Sequence, residues 1–276
     1  MNRISPGQDF GSLLSILASV EWMTIIGGGV SAAAGSYFAY RLAALTEKNR
    51  LKRAEAQALN LAASTIFTYI NSARNFKHQI FEPKKAELDD ITAIVEHAHT
   101  TEDHTKYAAI VIPFRTTFQL IQPIEFQKGS ASASITALKF VSGRPMILAV
   151  ELEKSAAALN HTISSLNDCL KELKATGDAR LTAFRVAGVC EDDGHVDERY
   201  RHHIEHLGEA CDDIVQFGAM ILSDIRSYSR HWSKVFGTGP QKIIRLSDEE
   251  QSRILAERTT SHKTWDDIPV VFHDLN

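Results

Sequence analysis

The stretch that decides the fold is "IEHLGEACDDIVQFGAMILSDIRSYSRHW", residues 204–232. Its apolar and small residues recur at alternating spacings of three and four: Ile204, Leu207, Cys211, Ile214, Gly218, Ile221, Ile225, Tyr228 and Trp232. This spacing places one apolar stripe along a long α-helix and is typical of helices that pack in a bundle. We therefore predict a long helix here, which "GTGP" at 237–240 ends.

Two segments upstream repeat the pattern. From Leu152 to Leu173 the apolar residues again step by three and four, and Gly177 is placed to end that helix. A short helix is expected at 178–190. From Leu59 to Ile80 a further apolar stripe has a period near 3.5, and Pro83 in "FEPKKAE" is expected to break that helix because proline cannot continue a helix interior.

The connecting segments are less regular. A helix is expected over 85–99, with Ile91, Ile94 and Val95 facing inwards. The apolar stretch at 107–126 is interrupted by two prolines. It predicts either a helix to about 112 followed by irregular chain, or a pair of strands.

Shorter stretches predict loops, a turn and a short helix. "QKGSASAS" at 127–134 is interpreted as a loop and "SGRP" at 142–145 as a turn. Ser247 with Glu250 matches a capping box for a short helix, and "IPVVFHDLN" is expected to be extended.

Composition narrows the functional classes. The 276 residues are 44% hydrophobic and 23% charged, with a net charge of −4, so broad binding of nucleic acid through excess positive charge is not indicated. Three cysteines without a CxxC pair argue against a disulfide scaffold and fit a reducing compartment. No dinucleotide-binding or phosphate-binding glycine motif is present, and no cofactor is indicated.

The segment "WMTIIGGGVSAAAGSYFAY", residues 22–40, contains no charged side chain. As a helix it would rise about 28 Å, close to the thickness of the hydrocarbon core of a bilayer. Trp22 stands at one end and Tyr37 and Tyr40 at the other, where aromatic rings favour a membrane interface. A single membrane anchor is the favoured interpretation. The alternative is a buried helix of a soluble protein, since the segment is rich in Gly, Ala and Ser.

Small residues in this segment form two rows with a spacing of four: Gly27, Ser31 and Gly35, and Gly28, Ala32 and Ser36. Rows of this kind let two helix backbones approach closely in lipid. We expect the anchor to associate with itself and the protein to be a homo-oligomer.

Flanking charge predicts the orientation. Arg41, Lys48, Arg50, Lys52 and Arg53 follow the segment with only one acidic residue among them. The positive-inside rule then places the C-terminal side in the cytoplasm, as a single-pass protein of the inner membrane. Whether residues 11–20 also enter the membrane stays open.

The predicted fold is therefore mostly α-helical: one N-terminal transmembrane helix, then a cytoplasmic antiparallel bundle of five or six helices. The expected divisions are an anchor segment at 1–45, the bundle at 46–240, and a short helix with a tail at 241–276.

A histidine-rich stretch at 197–213 offers metal ligands. His202 and His206 share a helix face, with Glu198 and Glu209 close to it, and imidazole with carboxylate suits zinc or iron. By the spacing of the apolar stripe, both histidines point away from it. A solvated polar face is therefore the preferred interpretation, and no metal is assigned.

Two sequences have the form Arg-x4-His: Arg201 to His206, and Arg226 to His231. The spacing resembles the Arg-x4-6-His motif of the HEPN helical-bundle ribonucleases. That resemblance covers six residues. It implies a metal-independent site shared across a dimer, where Arg stabilises phosphate and His transfers a proton at an RNA 2′-hydroxyl.

Three functions follow from these features. The first is a membrane-anchored protein that acts by interaction at the inner face of the membrane, by sensing, recruitment or oligomerisation, with a protein partner and no identified catalytic mechanism. The second is a membrane-damaging effector of a bacterial defence or toxin system, such as antiviral defence. The third is the HEPN-like ribonuclease, for which the acidic chain makes nucleic-acid binding the least favoured partner class.

Overall fold

The structure, a computed structural model, describes residues 10–100, 114–139, 141–190, 194–235 and 264–272 and the isolated positions 249, 252 and 254; in the first helix, side chains are described from Ser31 onwards. The described chain is mostly helical and packs as a bundle. Its α-helices are α1 (Phe10–Phe76), α2 (Glu82–Thr100), α3 (Ser130–Thr136), α4 (Arg144–Ala175), α5 (Ala179–Ala187) and α6 (Arg199–Val235).

The chain divides into two units, Met1–Ala54 and Glu55–Asn276. The first unit contains the N-terminal part of α1, including the predicted anchor at 22–40. Of that anchor, the side chains of residues 22–30 lie outside the described residues. Among the described residues, no helix is long and apolar enough to cross a membrane.

The second unit is built around α6, whose apolar stripe is buried as the spacing predicted. Helix α4 packs along α6 in the antiparallel sense, because Arg144 at the start of α4 contacts Asp224 late in α6, whereas Glu172 near the end of α4 contacts Arg199 at the start of α6. Both long helices therefore contribute heptad-like faces to one core, consistent with an antiparallel bundle.

The C-terminal part of α1 also runs antiparallel to α6. At Gly218 the backbone of α6 lies against the Ile70 side chain of α1, and an added Cβ would lie 2.5 Å from Cγ1 of Ile70. A second close approach occurs at Gly208, where an added Cβ would lie 2.7 Å from Cζ of Phe81. Glycine at these two positions leaves room on α6 for the side chains of Ile70 in α1 and of Phe81, which follows α1 in the chain.

The predicted break at Pro83 is wrong. Helix α1 passes into a turn of π-helix, Lys77–Phe81, and α2 begins directly at Glu82. The Glu82 backbone N–H donates to the carbonyl of Lys77, five residues back. Pro83 then falls in the first turn of α2, where a missing N–H is tolerated, so the widened turn accommodates the proline without a loop.

Helix α2 has the predicted inner face, with Ile91 and Val95 buried and Ile94 half-buried. After it, residues 101–113 lie outside the described residues. The helix expected to about 112 falls within that range. Residues 114–129, which we call the strap, are irregular chain, as the first of the two alternatives expected for the chain after that helix. The strap packs on the core through Phe114, Phe118, Ile121, Ile124 and Phe126.

Two loop assignments are corrected. Part of the segment 127–134 is helical, because Ser130 begins α3, which buries Ala131, Ser134 and Ile135. The predicted turn at 142–145 is instead strand β1, Val141–Gly143, followed at once by α4. Strand β1 pairs in the antiparallel sense with β2, Val270–Phe272, in the C-terminal stretch that was expected to be extended.

Other ends of helices match the sequence. The short helix expected at 178–190 is α5, and the side chain of Asp178 accepts hydrogen bonds from the first N–H groups of that helix. Gly177 has a left-handed φ of 71° just after α4. "GTGP" at 237–240 and the capping box of Ser247 and Glu250 lie outside the described residues.

Candidate functional site

The small-residue rows lie in the first unit, on α1. Gly27 and Gly28 precede the part of α1 whose side-chain surroundings are described. Ser31, Ala32 and Gly35 are exposed, and a Cβ added at Gly35 would meet no atom within 4 Å. A side chain at Gly35 would therefore not disturb the chain itself, which makes this position suited to testing contacts with a second molecule.

Exposure continues along α1 over every residue from Ser31 to Arg50. The exposed residues include large apolar ones: Tyr37 at 55%, Phe38 at 71%, Tyr40 at 72%, Leu42 at 68% and Leu45 at 57%. A helix of a soluble domain normally turns its large apolar side chains towards a core. These side chains are instead available to lipid or to another helix.

A polar contact is built into this exposed segment. Nε of Arg41 donates a hydrogen bond to the Tyr37 hydroxyl at 2.9 Å, and the Arg41 guanidinium lies 5.5 Å from the centre of the Tyr37 ring. The cation is thus held back along the helix towards the aromatic residues, as helical side chains lean towards the N-terminus.

The first Arg-x4-His pair lies on the exposed surface of α6. Arg201 forms an ion pair with Glu205 at 3.3 Å, and Nδ1 of His206 lies 2.9 Å from Oε2 of Glu209. Both basic side chains are about half exposed or more. Each is engaged with a carboxylate on the same helix rather than with the other.

The second pair, Arg226 and His231, is half-buried near the other end of α6, and both side chains make further contacts. His206 and His231 are 25 residues apart, which corresponds to about 38 Å along one helix. One chain therefore does not bring the two Arg-x4-His pairs into a single site.

The metal candidates are arranged as two separate pairs. Nε2 of His202 lies 3.6 Å from Glu198, and His206 pairs with Glu209 as described above. All four side chains are exposed, which matches the outward direction expected from the apolar stripe. Within the described residues, no group of three or more histidine, cysteine or acidic side chains is placed to hold a metal ion.

A neighbouring histidine, His203, was not singled out from the sequence. It is half-buried, and burial lowers its pKa, with smaller contributions from positive charge nearby: His206, Arg199, His202 and His161. His161 belongs to α4, so the histidine-rich face spans two helices. Next to it, a groove of about 370 Å³ runs between α4 and α6 and is lined in part by Lys154, His206 and Asp213.

Sequence reasoning also missed the buried polar groups that hold the strap. The Glu87 carboxylate accepts hydrogen bonds from the backbone N–H groups of Arg115 at 2.6 Å and Thr116 at 2.5 Å, and from the hydroxyls of Thr116 and Thr117. Burial tends to raise the Glu87 pKa, but these hydrogen bonds outweigh burial and the pKa is lowered. Nζ of Lys84 donates to two strap carbonyls, and burial lowers its pKa to about 8.

A second buried carboxylate lies where the second unit begins. Glu55 is 1% exposed and accepts hydrogen bonds from the Tyr228 hydroxyl and, at 3.2 Å, from the backbone N–H of Lys139. Burial raises its pKa, and the two hydrogen bonds offset only part of this effect. These carboxylates bind groups of the same chain, so their chemistry here is structural.

Comparison with known proteins adds no relative. No protein-family model matches the chain, and no curated protein and no solved structure is significantly similar to it. The features of this chain that bear on its function are the exposed part of α1 and the charged face of α6.

Proposed function

We propose that this protein is anchored in a membrane by the N-terminal part of α1 and acts by interaction there, with its helical bundle on the cytoplasmic side of the inner membrane. The observation that carries the proposal is the unbroken exposure of α1 from Ser31 to Arg50, with five large apolar side chains among the exposed residues. Contact with lipid or with a second apolar helix would remove these side chains from water, which is energetically favourable.

The sequence supports the proposal beyond the described side chains. The aliphatic residues of the anchor, Ile25, Ile26 and Val30, all precede Ser31. The described part of the anchor is therefore its less apolar end, rich in small and aromatic residues. The basic residues from Arg41 to Arg53 support a cytoplasmic C-terminal side.

Self-association through α1 is the second part of the proposal. Ser31, Ala32 and Gly35 give this helix a surface on which a second backbone could approach closely. The open space at Gly35 supports this idea, because no atom of the same chain fills it. A homo-oligomer would place several copies of the bundle side by side at the membrane surface, where a protein partner could be recruited.

Anchoring is tested with the full chain by alkaline extraction of the membrane fraction. We expect the wild-type chain to stay in the extracted membrane. Val30→Lys with Ala33→Lys places two charges near the middle of the anchor, each unfavourable by about 2.5–3.5 kcal/mol, and should release the protein. Ala43→Lys with Ala44→Lys adds the same charge beyond the anchor and should leave it bound. Extraction of the wild-type chain into the soluble fraction would refute the anchor.

Self-association is tested by crosslinking in membranes. Gly35→Leu adds a side chain on the small-residue surface and should reduce oligomers by at least tenfold. Ala33→Leu adds a similar side chain at a position about 160° away around the helix and should leave oligomers unchanged. Equal oligomer yields for Gly35→Leu and the wild type would contradict the association surface while leaving the anchor intact.

A further inference from the structure

We propose that α1 carries a basic face, made by Arg41 and Lys48, that binds the phosphates of anionic lipids in the cytoplasmic leaflet. This inference rests on the proposed membrane anchor and names the lipid class that the anchor would prefer. Both side chains are exposed and belong to the first unit.

The two cations share one side of the helix. Arg41 and Lys48 are seven residues apart, so they differ by about 20° in direction and by about 10 Å along the axis. Tyr37 lies about 40° from Arg41 on the same side, and Lys52, half-buried, continues it. An interfacial aromatic ring and two exposed cations therefore follow each other along one strip.

The acidic residue of this region lies elsewhere on the helix. Glu47 is about 120° from Arg41 around the axis, and its carboxylate is paired at 2.8 Å with Arg50, which lies opposite Arg41. The pair neutralises the one carboxylate in the run from Arg41 to Arg53. Within the run from Arg41 to Arg53, the two cations therefore lie on a different side of the helix from the one carboxylate.

The direction of the side chains favours contact with a surface on the N-terminal side. Side chains on a helix lean towards its N-terminus, and Arg41 does so, since its guanidinium reaches Tyr37 one turn back. With Tyr37 at the interface, the Arg41 charge lies among the headgroups. Lys48 lies about 10 Å further along the axis, so its attraction to the same leaflet is strongest at low salt, where the Debye length reaches about 30 Å at 0.01 M.

Charge complementarity selects anionic lipid. Basic side chains next to a membrane segment are attracted to the negative cytoplasmic leaflet by about 1 kcal/mol each, which corresponds to about fivefold in binding. The chain outside this run has an excess of acidic residues, so the same surface repels it. The basic face therefore decides which lipid lies next to the protein.

The experiment uses the full chain reconstituted in phosphatidylcholine vesicles, with tracer amounts of spin-labelled phosphatidylglycerol or spin-labelled phosphatidylcholine. Spin resonance measures how strongly each lipid is immobilised next to the protein. We expect phosphatidylglycerol to associate at least about fivefold more strongly at low salt, and the preference to fall towards one in 1 M salt, where the Debye length is about 3 Å.

Two matched variants separate the basic face from net charge. Arg41→Gln with Lys48→Gln should bring the preference close to one. Arg50→Gln with Arg53→Gln removes the same number of charges from other sides of the helix and should keep most of it. Equal losses in both variants would overturn the basic face in favour of general charge attraction.

The result also distinguishes this inference from the anchor. If neither lipid is immobilised, the chain is not inserted and both ideas fail. If both lipids are immobilised equally in the wild type, the anchor stands and the lipid preference is refuted. The cations would then be left to face an acidic protein surface.

Discussion

Asn160 and Asn167, one heptad apart on α4, hold two residues of the strap by the same pair of hydrogen bonds. The Asn167 side chain accepts from the Ile121 N–H and donates to the Ile121 carbonyl, both at 2.8 Å. Asn160 does the same with Ile124, also at 2.8 Å. Each side-chain amide thus replaces the partner that a neighbouring strand would provide.

The spacing of the two asparagines along α4 matches the spacing of Ile121 and Ile124 along the strap. Seven residues of α-helix rise about 10.5 Å, and three residues of extended chain span about 10 Å. The strap runs antiparallel to α4, so Ile121 meets Asn167 and Ile124 meets Asn160. One heptad further back, Glu153 accepts a hydrogen bond from the Ser132 N–H at 2.9 Å, where α3 has begun.

We expect Asn167→Ala to lower the free energy of unfolding by about 1–3 kcal/mol, because it leaves two buried backbone groups of Ile121 without their partner. Ile121 is 6% exposed, whereas Ile124 is half-buried, so water can replace part of the hydrogen bonding that its backbone would lose. Asn160→Ala should therefore be less destabilising. Urea unfolding measures both values.

The control is Asn60→Ala, an exposed position on α1 where alanine is the better helix former. It should be neutral or slightly stabilising. If Asn167→Ala behaved like Asn60→Ala, the side-chain amide would not be holding the strap.

Substitutions at Gly218 and Gly208 test how closely α6 packs on Ile70 of α1 and on Phe81 of the π-turn that follows α1. Gly218→Ala should destabilise the bundle by about 1–3 kcal/mol, because the new methyl group meets Ile70, which is fully buried and has no room to move. The intrinsic preference of alanine for helix, about 1 kcal/mol, offsets only part of this loss.

Gly208→Ala is the matched substitution. Its methyl group meets the end of the Phe81 ring, which is half-buried and can shift outwards. We expect Gly208→Ala to lower the free energy of unfolding by less than Gly218→Ala does, as measured in the same urea titrations. A larger loss at Gly208 would show that Phe81 is the more rigid neighbour.

The sequence predicted the parts of the fold that local periodicity controls. The apolar stripe of α6 determined which residues are buried, and it correctly turned His202 and His206 outwards. The contacts that hold the strap were missed because they join side chains to backbone groups about 40 residues away in sequence, as Asn167 meets Ile121. The heptad spacing of Glu153, Asn160 and Asn167 was the available signal.

Other errors have equally local causes. Pro83 would break the helix if every turn before it were α-helical, because proline cannot continue a helix interior. The single π-helical turn Lys77–Phe81 places Pro83 in the first turn of α2, where proline is tolerated. Strands β1 and β2 are three residues each and far apart in sequence, so neither is recognisable alone. For the candidate site, a charge-free run predicted an anchor, whereas the exposure of every residue from Ser31 to Arg50 is seen only in the structure.

Glu55 and Glu87 should give opposite dependences of stability on pH. The folded-state pKa of Glu87 is lowered, so its contribution is present above the ordinary value of about 4.5 and is lost as pH falls through the folded value. The pKa of Glu55 is raised, so its contribution weakens as pH rises from about 4.5 through the folded value.

Substitution by glutamine removes each titration while keeping the shape of the side chain. We expect the stability advantage of the wild type over Glu87→Gln to grow as pH rises towards 4.5. The advantage over Glu55→Gln should instead shrink above 4.5. Urea unfolding between pH 3.5 and 7 measures both differences, and parallel profiles would contradict the assignment of the two environments.

Arg144 and Asp224 join the start of α4 to α6 by an ion pair with two hydrogen bonds, and the Asp224 side chain is 3% exposed. Asp224→Ala should destabilise the protein by about 3 kcal/mol, the lower end for a buried pair because Arg144 is 18% exposed. The loss comes mainly from leaving the guanidinium without its carboxylate.

Replacing both residues tests that explanation. Arg144→Met with Asp224→Leu removes both charges and keeps apolar volume at the junction, so most of the lost stability should return. The coupling between the two sites, measured as a double-mutant cycle in urea, should then exceed about 1 kcal/mol. Additive losses would mean that each side chain acts through other neighbours, and that the ion pair is not what fixes α4 against α6.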